Sequence, residues 1–84
     1  MKVDIYRREE SGNRFTYMIV PHAQPIPQEA DNTDWHMRQM NVDIDAAAEH
    51  LHPYEVDRPG DQIAEKGYAI TRLADQVPAA QARV

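Results

Sequence analysis

Between Val3 and Val20, hydrophobic and polar positions alternate in two runs separated by a turn. In the first run Val3, Ile5 and Arg7 fall on one side of a strand, and Lys2, Asp4, Tyr6 and Arg8 on the other. In the second, Phe15, Tyr17 and Ile19 share one side and Thr16, Met18 and Val20 the opposite one, so both sides are largely apolar. A strand of that kind needs cover on both faces and belongs inside a sheet. Ser11, Gly12 and Asn13 suit the reversal, because Gly and Asn tolerate positive φ. Pro21 has no amide hydrogen to give to a ladder and ends the second run. The pattern predicts an N-terminal β-hairpin from Lys2 to Val20.

Pro21, Pro25 and Pro27 follow at close spacing and predict an extended loop crossing the sheet. A helical turn can open at Pro27-Gln28-Glu29-Ala30, and Asp31-Asn32-Thr33-Asp34 groups residues that favour turns and caps. Asn41 to Asp45 alternates cleanly, which predicts a strand within Trp35–Ile44; a short helix with a Trp35, Met37, Met40 stripe is the other option. Trp35 reads as a core or sheet-covering side chain. The alanines of Asp45–Leu51, behind a capping Asp45, predict a helix of about two turns ending before Pro53.

The main helix is expected near Arg58–Lys66. Asp57 would be its N-cap, Pro59 would lie in its first turn, and Gly67 would close it in a left-handed conformation. Tyr68–Leu73 then reads as a strand with Tyr68 and Ile70 on one face and Ala69, Thr71 and Leu73 on the other. The predicted fold is α+β: a small antiparallel sheet of three to four strands, hairpin plus C-terminal strand, with one helix on one face. The domain is expected over residues 1–74, with 75–84 a flexible tail. Val3, Ile5, Phe15, Tyr17, Ile19, Ile63, Ala64 and Ile70 are the expected core.

Eighty-four residues make a small core, for which oligomerisation is a usual remedy. The net charge is −5, concentrated in the middle: ten acidic residues between Gln28 and Glu65 are opposed by Arg38 and Arg58 alone. Such a surface repels phosphate backbones and argues against nucleic-acid binding. The chain has no cysteine, apolar signal core or membrane-length run, so a cytoplasmic protein is expected. Two stretches, Val3 to Glu10 and Gln62 to Thr71, resemble the ends of a group of short bacterial proteins of uncharacterised function. The resemblance implies a compact domain of unknown function that stands alone, and it brings no activity or ligand.

Chemistry is sparse. His50-Leu51-His52 is the densest group of the four histidines, which include His22 and His36. In a strand the two would share a face and reach one ion; in a helix they would diverge, and the preceding alanines favour the helix. Asn41, Asp43 and Asp45 start like a calcium loop, but Ala46 and His52 stand where such a loop needs Gly and Glu. Ser11 sits in a turn without the surroundings of a nucleophile. Arg7, Arg8 and Arg14 form the one basic spot, which can pair with acidic residues of the same or another chain. No catalytic, cofactor or metal residue is assigned, and no enzyme is expected. The expected function is a non-catalytic protein–protein interaction module, self-associating as a homodimer through a strand edge or sheet face. The alternatives are a small ligand- or metal-binding protein using His/Asp side chains and Trp35, and an acidic decoy or inhibitor of a basic partner.

Overall fold

The computed structural model describes residues 1–27 and 34–81. The expected helical turn at 27–30 and most of the cap cluster at 31–34 lie outside the described residues. The described residues are α+β, mostly antiparallel sheet with one α-helix among them. Strands β1 (Lys2–Glu10) and β2 (Arg14–Pro21) form the hairpin, joined by Ser11-Gly12-Asn13. Gly12 (φ 76°) and Asn13 (φ 58°) take the positive φ that the tight reversal demands. β3 (His36–Asp43) lies where a strand was expected, and β6 (Ala69–Ile70) sets the C-terminal segment against the hairpin. The order is β3-β1-β2-β6, and β7 (Val77–Pro78) also pairs with β2. A separate two-stranded ribbon joins β4 (His50–Leu51) to β5 (Val56–Asp57).

β2 is buried on both sides, as its two apolar faces demand. Tyr17 and Ile19 enter one cluster with Val3, Ile5, Val56, Ala69 and Val77. Met18 and Val20 enter the other with Trp35, against which Ile26 and Ile70 pack. Trp35 therefore covers the sheet, and Ile26 brings the proline-rich crossing onto the same face.

Four expectations need correction. Asp45–Leu51 is not a helix: the Asp45 carboxylate accepts the Ala47 amide, the Ala48 amide bonds the Asp45 carbonyl, and the chain turns instead. Helix α1 (Pro59–Lys66) is not capped by Asp57, because Arg58 occupies the cap position at φ 47° and no side chain caps it there. Gly67 does close it at φ 88°, its amide bonding the Ile63 carbonyl. The C-terminal strand is two residues long, and Leu73 lies in a 3-10 turn with its side chain exposed. Ala64 is exposed and not core. So short a helix turns a narrow stripe inward, held by Pro59 and Ile63 four residues apart, and position 64 rotates out. Phe15, Ile63 and Ile70 are half-buried, and Ile70 belongs to the cluster across the sheet from Ile63.

The sheet continues past residue 74. Val77 is buried in the first cluster and opposite Phe15, so β7 lies inside the segment expected to be a tail. Gln62 ties α1 to two strands: its amide nitrogen donates to the Asp57 carbonyl, and its oxygen accepts the Ile70 amide. The 45–49 turn is held against the start of α1, with the Arg58 amide donating to the Glu49 carbonyl at 2.7 Å. A Cβ on Gly60 would collide with the Ala46 carbonyl oxygen. Gly60→Ala is expected to cost about 1–3 kcal/mol by forcing these two backbones apart. Urea denaturation would read it, and wild-type stability would show that the turn moves freely.

Candidate functional site

Among the described residues, the ribbon of β4 and β5 and the turn between them bring His50, His52, Glu55 and Asp57 together. Leu51 and Val56 face each other and turn toward the core. Alternation along the strand then sends His50 outward, opposite Asp57. His52-Pro53-Tyr54 forms a single 3-10 turn, and Glu55 closes it at φ 51°, its amide bonding the His52 carbonyl. The left-handed residue swings the Glu55 carboxylate back across the histidines.

His50 Nε2 donates to Glu55 Oε1 at 3.1 Å, and His50 Nδ1 faces Asp57 Oδ1 at 3.5 Å. His52 Nδ1 lies 3.7 Å from Glu55 Oε2, and the two imidazole rings meet edge to face with centroids 4.8 Å apart. Donor atoms of His50, His52 and Glu55 all fall within 4.8 Å of one another. Asp57, freed from capping α1, orients the far nitrogen of His50. A cleft of about 360 Å³ opens beside the group, lined by His52, Pro53, Glu55, Asp75, Gln76 and Val77 among others.

The Glu55 hydrogen bond raises the pKa of His50 above its ordinary value, with burial opposing and Asp57 adding to the rise. A raised histidine pKa contributes stability that is complete below the unfolded value and is lost as pH rises through the folded one. The protonated ribbon is thus the more stable form of the ligand-free chain.

A second polar centre went unnoticed in the sequence. Asp4 is 4% exposed, between the exit of β2 and a bulge in β3. His22 Nδ1 donates to its Oδ1 at 2.8 Å, as does the Asn41 amide at 2.8 Å, and the Ala23 amide donates to Oδ2 at 3.1 Å. Burial alone would raise its pKa; the His22, Asn41 and Ala23 hydrogen bonds outweigh burial and lower it. The position alternates with Val3 and Ile5 and reads as solvent-facing, yet this sheet is covered on both sides. The one sequence signal was an acid inside an apolar strand.

The remaining candidates do not converge. Asp43 binds the Met1 amine at 2.8 Å, Asn41 lies in the bulge and Asp45 holds its own turn, so no calcium loop forms. His36 and Ser11 are exposed and apart from the ribbon. Arg7 and Arg8 make no single basic spot, since alternation puts them on opposite faces. The Arg7 guanidinium lies 3.9 Å from the centroid of the Phe15 ring; Arg8 lies over Trp35 and pairs with Glu10 at 2.8 Å. Among the described residues, no helix is long and apolar enough to cross a membrane.

Residues 1–77 match the model of DUF6139, a family of unknown function. The match runs through the middle of the chain as well as the two ends that carried the resemblance. No curated protein and no solved structure matches the chain.

Proposed function

We propose, for a chain that belongs to DUF6139, a family of unknown function, that it is a non-catalytic interaction module pairing with a second copy of itself along β3. The observation that carries this is the outer edge of the sheet. β3 is eight residues long, stands last in the strand order, and exposes Met37 (41%) and Met40 (62%). Exposed methionines give an apolar, adaptable contact surface. The strand carries His36 and Arg38 toward one end and Asp43 at the other, so antiparallel self-pairing sets unlike ends opposite each other.

Two register shifts in the pairing with β1 interrupt the edge. Bulges of this kind blunt a sheet edge, so the contact is short and the dimer weak and concentration-dependent. A cytoplasmic setting is part of this proposal, and a sequence without cysteine is compatible with a reducing compartment. Sedimentation velocity across a concentration series tests the proposal. Wild type is expected to show a dimer at high micromolar concentration. Met40→Glu is expected to be monomeric with an unchanged melting temperature, because the side chain lies in solvent within the monomer. A strict monomer throughout would overturn the reading.

A further inference from the structure

We propose that His50, His52 and Glu55 form a binding site for one divalent transition-metal ion of the zinc class, with Asp57 holding His50 in place. The inference is independent of the pairing along β3. Two observations carry it: the convergence of three donors, and a fourth side chain placed as such sites require.

The donors converge because His50 lies in β4 with Leu51 packed inward, and His52 opens the 3-10 turn directly after it, which brings the two rings to 4.8 Å between centroids. The Glu55 carboxylate returns between them, Oε1 lying 3.1 Å from His50 Nε2 and Oε2 3.7 Å from His52 Nδ1, and with one donor atom per residue the three lie within 4.8 Å of one another. Ligands about 2.1 Å from a tetrahedral ion lie roughly 3.4 Å from one another, so the two histidine–carboxylate separations are close to that spacing and the set needs only small side-chain rotations to close on an ion. Metal-bound histidines nearly always give their other ring nitrogen to a carboxylate or carbonyl. Asp57 occupies that place at His50 Nδ1, 3.5 Å away.

Two imidazoles and one carboxylate favour zinc, cobalt, nickel or copper over magnesium or calcium, which prefer all-oxygen cages. Three protein ligands leave a fourth position open, and two of the three, His52 and Glu55, also line the neighbouring cleft. That position takes water or a small anionic group, so the site can bind ligand as well as ion.

Isothermal titration of the untagged full chain with zinc chloride tests the site, supported by the visible spectrum of the cobalt(II) form. One ion per chain at about micromolar affinity is expected, with the intense bands of four-coordinate cobalt. His52→Ala removes a largely exposed side chain, so the fold should be kept, and it should weaken binding by more than ~100-fold. Asp57→Asn should weaken it by about 10-fold, the size typical of an orienting partner. His36→Ala, on β3, should leave it unchanged. No binding at millimolar zinc would overturn the site. So would equal affinity in His52→Ala, loss of binding in His36→Ala, or half an ion per chain.

Discussion

Asp4→Ala is expected to cost about 2–3 kcal/mol, the scale of losing charge-assisted hydrogen bonds to a buried carboxylate. The side chain contributes no apolar packing that alanine could not supply, so the loss is polar. Removing it strands the Asn41 amide within the β3 bulge and the Ala23 amide at the exit of β2, and frees His22. One carboxylate thus ties β1 to the bulge of β3 and to the segment that leaves β2. A domain of this size has only about 5–15 kcal/mol in total, so the variant should melt far below wild type. Asp4→Asn should recover part of the loss by keeping one acceptor.

The same residue sets an acid limb. Its folded pKa lies below the unfolded value, so near the unfolded pKa the unfolded chain binds more protons. Its contribution is therefore complete above about pH 4 and is lost as pH falls through the folded value. Denaturant titrations from neutral pH down to pH ~3 should show wild type losing stability at the acid end. Asp4→Asn should lack that component of the slope. Parallel curves for the two proteins would remove Asp4 from the role.

Tyr17→Ala should cost about 3–5 kcal/mol, as expected for emptying a fully buried aromatic site. Tyr17 is wholly buried in the first cluster, and its ring meets Tyr54 edge to face at 5.4 Å and Phe15 at 6.5 Å. Its backbone is equally committed. The Thr71 amide donates to the Tyr17 carbonyl at 3.0 Å, and the Tyr17 amide donates to Thr71 Oγ1 at 3.1 Å. Thr71 Oγ1 in turn donates to the Tyr54 carbonyl at 2.7 Å. The cavity would lie where hairpin, ribbon and C-terminal segment meet, so all three should loosen together. Hydrogen exchange should show faster amides at Thr71 and Val56 as well as in β2. Loss of protection confined to β2 would mean that Tyr17 does not couple them.

How much of this was legible in advance depended on where each residue's partner sits. The hairpin was readable because its partners are neighbours: alternation, Gly12-Asn13 and Pro21 set both strands and the turn within twenty residues. Gly67 was readable for the same reason, since a left-handed stop after a helix is a local demand. Trp35 was readable as a cover because so large a ring has few other places in a small protein.

The ribbon was not readable. Alanines at 46–48 favour helix over short range, but about two turns of helix ending before Pro53 are too short to persist alone. The outcome was decided by distant partners: Val56 opposite Leu51, the Glu49 carbonyl meeting the Arg58 amide, and Gly60 accepting the Ala46 backbone. That choice turned His50 and His52 from divergent to convergent and released Asp57 from capping duty. Asp4 was hidden likewise, because alternation tells which side a residue faces but not whether that side is covered.

Local pattern along this chain settled its class, its hairpin and the position of helix α1, since those follow from backbone preferences and from the period of apolar residues. The ribbon, the buried carboxylate and the three converging donors came only with the fold. Each depends on groups far apart in the chain, and whether those groups meet is decided by packing and by the pairing of backbone amides, which no short window of sequence contains.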